Sequence, residues 1–177
     1  LRELCAQRGI RVEIAPEVRV DGLSVSSTAI RALLAEGYVE KANHLLGRRF
    51  GFSFPVAHGR QLGREMGAPT INQPFPDGFV RPKFGVYASV VQIDGENYCG
   101  VTNIGVKPTV GSDCVLAETW MPDYAGNLYG RSVPVELVQF LRPEMKFSGI
   151  AELRQRILQD GRDACRIVQE KLSEEIR

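Results

Sequence analysis

The spacing of apolar positions changes character twice along the 177 residues. In the first stretch, up to about residue 48, Arg11-Val12-Glu13-Ile14-Ala15 alternates and predicts a short strand ending near Pro16. Beyond it, Ile30, Leu33 and Leu34 fall on one helical face, with Ser26 or Ser27 as N-cap and Gly37 as the stop. A second short helix carries Val39, Ala42, Leu45 and Leu46 and ends at Gly47. One strand and two short helices cannot bury their own apolar faces, so this stretch must pack on something else or be only partly ordered.

From about 49 to 142 the period falls to two. Candidate strands are Phe52–His58, Phe84–Ile93, Tyr98–Ile104, Cys114–Met121 and Val133–Leu141. Alternation is clearest from Val133 to Phe140, as expected of a strand with one buried and one wet face. Asp94-Gly95 marks a hairpin and Ala125-Gly126-Asn127 a further turn. Short strands with glycine-bearing connections favour an antiparallel barrel or sandwich over a βαβ sheet. The helical period then returns. Ser148 caps a helix with Ile150, Leu153 and Ile157 on one face. Gly161 interrupts it, and Asp160 caps a second helix carrying Cys165, Val168 and Leu172. These helices are expected to close over one side of the barrel.

Composition narrows the picture only a little. Hydrophobic residues make up 44% and charged residues 24%, and the net charge is +1 from 22 basic and 21 acidic side chains. A protein that neutralises nucleic-acid phosphates ordinarily has a clearer basic excess, so no nucleic-acid partner is expected. No run approaches the ~20 apolar residues that span a bilayer, so no membrane partner is expected either. Cys5, Cys99, Cys114 and Cys165 are scattered, with no C-x-x-C pair and only His44 and His58 to complete a metal site. They read as reduced, mostly buried thiols of a cytoplasmic protein. The chain starts at Leu1 and reads as a piece of something longer.

The stretch richest in chemistry runs from His58 to Asn72. Gly59, Gly63 and Gly67 recur every four residues after a predicted strand, and glycine lets backbone N–H groups approach an anion. A phosphate loop and a flexible hairpin loop both fit. Neither a Walker A loop nor the G-x-G-x-x-G fingerprint occurs. Thr70 and Asn72 are two apart, so an extended backbone would project both side chains to one side, offering hard oxygen ligands of the kind suited to Mg²⁺. A local Pro-Thr-x-Asn turn is the other reading. Glu118 sits in the apolar run Val115–Met121, either on a solvated face or held inside as a base. Glu136 would be promoted by the same argument. The segment Asn103–Thr109 reads as a strand end passing into a loop.

Taken together, these segments resemble the riboflavin kinase domain at the C-terminus of bacterial bifunctional FAD synthetases. The resemblance runs from about Leu46 to Ala164. Its motifs, in order, are the glycine loop into Pro69-Thr70-Ile71-Asn72, Gly85-Val86-Tyr87-Ala88, Gly100–Gly105, Glu118, Asn127–Arg131, and Leu141–Glu144 with Lys146-Phe147. Upstream, Val25–Arg31 looks like the Ser-Ser-Thr-x-Ile-Arg motif near the end of the adenylyltransferase domain of those proteins. Residues 1–48 are accordingly expected to be a C-terminal fragment of that domain with its linker, and 49–177 the kinase domain. No His-x-Gly-His-like motif occurs, so adenylylation of FMN is not expected of the chain by itself.

The resemblance implies a mainly β fold, a six-stranded antiparallel Greek-key barrel with C-terminal helices. It implies ATP and riboflavin as substrates, FMN and ADP as products, and Mg²⁺ as cofactor. By the same likeness Thr70 and Asn72 hold the metal, and Gly59, Gly63, Gly67 and Asn103 join them around the phosphates. Glu118 is the catalytic base, and Arg142 lies toward the flavin. The parent adenylyltransferase domain is the implied covalent partner. Two positions depart from the family pattern. Ile71 stands where alanine is commoner, a change of packing behind the metal, and Trp120 stands where histidine is frequent, on the strand face of Glu118. A non-catalytic flavin- or nucleotide-binding barrel, a kinase for another small alcohol, and a β-barrel interaction domain are the competing readings.

Overall fold

The computed structural model describes residues 2–59, 67–109 and 112–175. Helix α1 (Arg2–Ala6) is one exposed turn. Strands β1 (Arg19–Val20) and β2 (Leu23–Ser24) pair across a turn in which Asp21 and Gly22 both take positive φ. The expected strand at 11–15 does not form. Those residues are almost all exposed and join no strand among the described residues, since alternation alone supplies no partner edge. Helix α2 (Ser27–Glu36) begins as the sequence predicts, with the Ser26 hydroxyl accepting from the Ala29 N–H at 3.2 Å. It stops at Gly37, whose φ of 85° is costly for any residue with a Cβ. Helix α3 (Val39–Leu46) ends in the same way at Gly47.

The partner that α2 and α3 require is the sheet itself. Leu34, Val39 and Ala42 are buried in one cluster with Phe50, Phe52 and Leu137. Asn43 fixes the join, donating to the Leu137 carbonyl at 2.9 Å and accepting from the Phe50 N–H at 2.7 Å.

The sheet has six antiparallel strands: β3 (Phe50–Pro55), β4 (Thr70–Pro74), β5 (Gly85–Ile93), β6 (Glu96–Thr109), β7 (Ser112–Trp120) and β8 (Ser132–Arg142). Their order is β3-β8-β5-β6-β7-β4, so β5, β6 and β7 form a meander and β8 returns beside β5 as a Greek key. The sheet curls until its two edges meet, where the Ala57 N–H donates to the Asn72 carbonyl at 2.7 Å. The Asp94-Gly95 hairpin stands where predicted, between β5 and β6. Two strands differ from expectation. Thr70–Pro74 is an edge strand, and β6 continues through Asn103–Thr109, since β7 pairs with it to the end.

Both faces of the curled sheet are covered, which accounts for the near-continuous burial of β5. Tyr87, Val91, Ile104, Ala117, Val135 and Leu137 point inward. Most polar groups buried there are tied together: Ser89, Thr102 and Thr119 form a hydroxyl chain of 2.7 and 2.9 Å, and Gln73 donates to the carbonyls of Phe54 and Val133, leaving its Oε1 without a partner among the described residues. Val86, Ala88, Val90, Val101, Trp120 and Val138 point outward, against Ala164, Ile167 and Val168 of the last helix.

That helix, α4 (Ile150–Glu175), is continuous, where the sequence predicts two. Gly161 does not break it. A Cβ there would lie 2.7 Å from the Trp120 ring, so the missing side chain lets helix and strand approach. Asp160 is no cap but a buried anchor. Its carboxylate accepts from Arg142 Nε at 3.0 Å and Nη2 at 2.6 Å, and from Arg156 Nε at 2.9 Å. The expectation of four reduced thiols is also corrected. Cys99 of β6 and Cys165 of α4 form a disulfide, because packing α4 on β6 brings their Cα atoms to 5.3 Å. Cys5 and Cys114 are free.

Candidate active site

Strand register, more than any single motif, assembles the site. Asn72 of β4 stands opposite Glu118 of β7, and Glu118 stands opposite Asn103 of β6. Asn103 in turn faces Val86 of β5, which faces Arg142 of β8. One transverse row therefore carries Asn72, Glu118, Asn103 and Arg142 across the sheet. The adjoining row on the same face places Thr70 opposite Trp120 and Trp120 opposite Val101. Period two along each strand puts both rows on the face toward α4.

Between this face and α4 lies a cavity of about 370 Å³. Its walls are chemically divided. Val86, Val101, Trp120, Phe147, Leu153 and Ile157 give it apolar sides, while Thr70, Asn103, Lys107, Glu118 and Glu144 bring oxygens and an ammonium. A mostly apolar cleft with a few converging polar groups is the usual form of a small-molecule site. Asn103 Oδ1 is buried without a hydrogen-bond partner among the described residues, so it is left to accept from a bound molecule.

Of the residues singled out from the sequence, Thr70, Asn103, Glu118 and Arg142 line this cavity. Asn72 is buried at its margin rather than in its lining, and Gly59 lies directly against it. A Cβ on Gly59 would collide with the Asn72 amide, so the backbone passes there only because position 59 is glycine. Gly67 takes φ +75° with open space around it, a conformational requirement and not a packing one. Gly63 lies outside the described residues. Arg142 reaches the cavity with its guanidinium already committed to Asp160 and to the Pro143 carbonyl, and its carbon stands 5.9 Å over the Phe147 ring.

Three contributors escaped the sequence reading. Lys107 meets Glu118 with Nζ to Oε2 at 3.0 Å. Glu144 packs its carboxylate against Gly105, whose lack of a side chain makes the room. Asp160 holds Arg142. Extending β6 by the same alternation that carries Asn103 would have found Lys107, four residues on and on the same face.

The riboflavin kinase family model (Flavokinase) matches residues 46–168. The chain is 41% identical over 161 residues to a bifunctional riboflavin kinase/FMN adenylyltransferase of Pseudomonas fluorescens, covering 90% of this chain and 51% of that protein. The proteins of the same description from Bacillus subtilis and Escherichia coli (strain K12) are 38% identical over 145 residues and 41% over 140. These alignments cover 80% and 78% of this chain, and 46% and 44% of the relatives. The chain thus spans about half the length of these relatives. Among solved structures, one described as a macrolide-efflux protein from Streptococcus pneumoniae superposes with a TM-score of 0.77 at 29% identity, over 90% of this chain and 52% of that one. The efflux description belongs to that protein; among the described residues here, no helix is long and apolar enough to cross a membrane.

Proposed function

The chain belongs to the riboflavin kinase family, and we propose that its cavity transfers the γ-phosphate of ATP to the ribityl 5′-hydroxyl of riboflavin, giving FMN and ADP. The observation that carries this reading is the transverse row. It sets a carboxylate, Glu118, directly between two amide side chains, Asn72 and Asn103, at the edge of an apolar slot. Phosphoryl transfer leaves little covalent work for a protein, so an oriented base, charge neutralisation and positioning suffice.

Glu118 accepts the proton of the attacking hydroxyl. Thr70 and Asn72 offer side-chain oxygens on one face of β4, neither of them engaged by a side-chain hydrogen bond among the described residues, and Gly59 brings backbone against Asn72. No cluster of three or more His, Cys, Asp or Glu exists among the described residues. A neutral pair of this kind fits Mg²⁺, which keeps waters and shares phosphate oxygens. When bound, Mg²⁺ would neutralise phosphate charge. Gly63 and Gly67 belong to the same phosphate-binding loop. The planar flavin fits between Trp120, Val86 and Val101 on the sheet side and Phe147, Leu153 and Ile157 on the other, with Arg142 as part of the wall. ATP as donor puts the reaction in the cytoplasm. Residues 1–48 are read as the end of an adenylyltransferase domain with its linker, supported by the Val25–Arg31 motif and by the two activities named in the relatives.

Incubation with riboflavin and Mg-ATP, followed by chromatographic separation of flavins, tests the reading. FMN is expected and FAD is not. Glu118→Gln should lower turnover by roughly 10²–10⁴-fold, the usual contribution of a positioned base, and leave riboflavin binding intact. A Glu118→Gln enzyme that turns over at the wild-type rate would remove Glu118 from the mechanism.

A further inference from the structure

We infer that Lys107 is a positioning residue for the base, orienting the Glu118 carboxylate before transfer and left free to pair with the new phosphate after it. The inference rests on Glu118 being the base.

Strand β6 does not end at the Asn103 motif but runs on, and Lys107 stands in register with Cys114 of β7. Positions 103, 105 and 107 share a face. The Lys107 side chain therefore leans along the same wall as Asn103, and its Nζ meets Glu118 Oε2 at 3.0 Å. The ammonium has a choice of two carboxylates at this end of the cavity. Glu144 lies against Gly105, between Asn103 and Lys107 in sequence, yet it makes no ion pair among the described residues. The pairing is with Glu118.

Both partners are about a third exposed, with side-chain values of 39% for Lys107 and 30% for Glu118. A pair this open to water adds little to stability. Its consequence is orientation. An unanchored glutamate samples several rotamers, and a base that wanders by an ångström loses much of its rate. With Oε2 held by Lys107, Oε1 is the oxygen left for a hydroxyl.

The charges then hand over in sequence. The 5′-O–H bond breaks and its proton goes to Glu118. The oxygen forms its bond to the γ-phosphorus as the bridging P–O bond breaks, and that electron pair leaves with ADP. Lys107 keeps its protons throughout. Glu118, now neutral, releases its hold, and the ammonium remains beside a newly made phosphate monoester.

The test compares Lys107→Met, Lys107→Arg and Glu118→Gln in the whole chain, measuring kcat, KM for each substrate, riboflavin affinity and melting temperature. Lys107→Met is expected to lower kcat by roughly ten- to a hundredfold, the loss that a misplaced catalytic group produces. Riboflavin affinity and melting temperature should stay unchanged, and Lys107→Arg, which keeps the cation, should recover most of the rate. Wild-type kcat in Lys107→Met beside an inactive Glu118→Gln overturns the role of Lys107 and leaves the base in place. Full activity in Glu118→Gln overturns the base, and this inference with it. Equal loss of rate and melting temperature in both Lys107 variants makes the residue structural, and overturns the inference too.

Discussion

Gly161 shows how one absent side chain can outweigh a local preference. Alanine is better than glycine inside a helix by about 1 kcal/mol, so on propensity alone Gly161→Ala should stabilise α4. The Trp120 ring decides otherwise, because the added methyl would sit 2.7 Å from it. Overpacking of that kind costs about 1–3 kcal/mol. Gly161→Ala is therefore expected to be neutral to destabilising by about 2 kcal/mol in denaturant unfolding, and Trp120→His combined with it should recover part of the loss. A clear gain in stability from Gly161→Ala alone would show that α4 does not press on Trp120. Nothing in the linear sequence reveals this contact. Glycine in a helical pattern reads as a stop, and only the opposing tryptophan, 41 positions earlier, makes it a point of approach.

At the level of elements, legibility followed the locality of the signal. The N-cap of α2, the glycine stops of α2 and α3 and the hairpin at Asp94-Gly95 are set by a few adjacent residues, and each stands where predicted. The edge strand β4 pairs with β7, distant in sequence, so a turn at Thr70–Asn72 reads as well as a strand; the end of β6 pairs with the next strand in the chain, but Gly105 and Pro108 make it read as a loop. The start of α4 carries a local device of another kind. Glu152 accepts from the Ser148 N–H at 2.8 Å and the Ser148 hydroxyl at 2.7 Å, and these bonds hold its carboxyl below the usual range. A carboxylate depressed in the folded state adds stability that is fully present above its unfolded value and is lost as pH falls through the folded one. Acidification below about pH 4.3, the ordinary glutamate value, should thus loosen the first turn of α4. Amide exchange at Leu153 should rise there before exchange at Val168 does. Glu152→Gln should remove that difference. Because Leu153 and Ile157 form part of the cavity wall, this turn also shapes the cavity.

For the molecule as a whole, β6 and α4 are joined twice, by packing and by the disulfide between Cys99 and Cys165. A crosslink over a separation of 66 residues restricts the unfolded chain and typically contributes about 2–4 kcal/mol. Reduction should lower the melting temperature while the fold persists. Without reductant, an alkylating reagent should modify Cys5 and Cys114 only; with reductant and denaturant, all four cysteines. Labelling of all four in the untreated native protein would show the crosslink to be absent. The pairing was illegible because two cysteines in different elements carry no spacing rule. The candidate site was far more legible, since Thr70, Asn103, Glu118 and Arg142 all reach one cavity. What the sequence could not supply was the register that makes them neighbours, nor Lys107, whose value lies in the distance to its partner.

The contact that closes the sheet has a meaning beyond architecture. Ala57 gives its N–H to the carbonyl of Asn72, the residue whose side chain is proposed to hold phosphate. The barrel is thus buttoned at the margin of the cavity. A donor nucleotide gripped by Asn72 and by backbone at Gly59 would hold both sides of that seam, acting as a second fastener. An empty barrel that parted along this edge would forfeit the proposed phosphate grip before its core had begun to loosen. Substrate would then complete the cylinder it enters, and the protein would be most nearly closed when occupied.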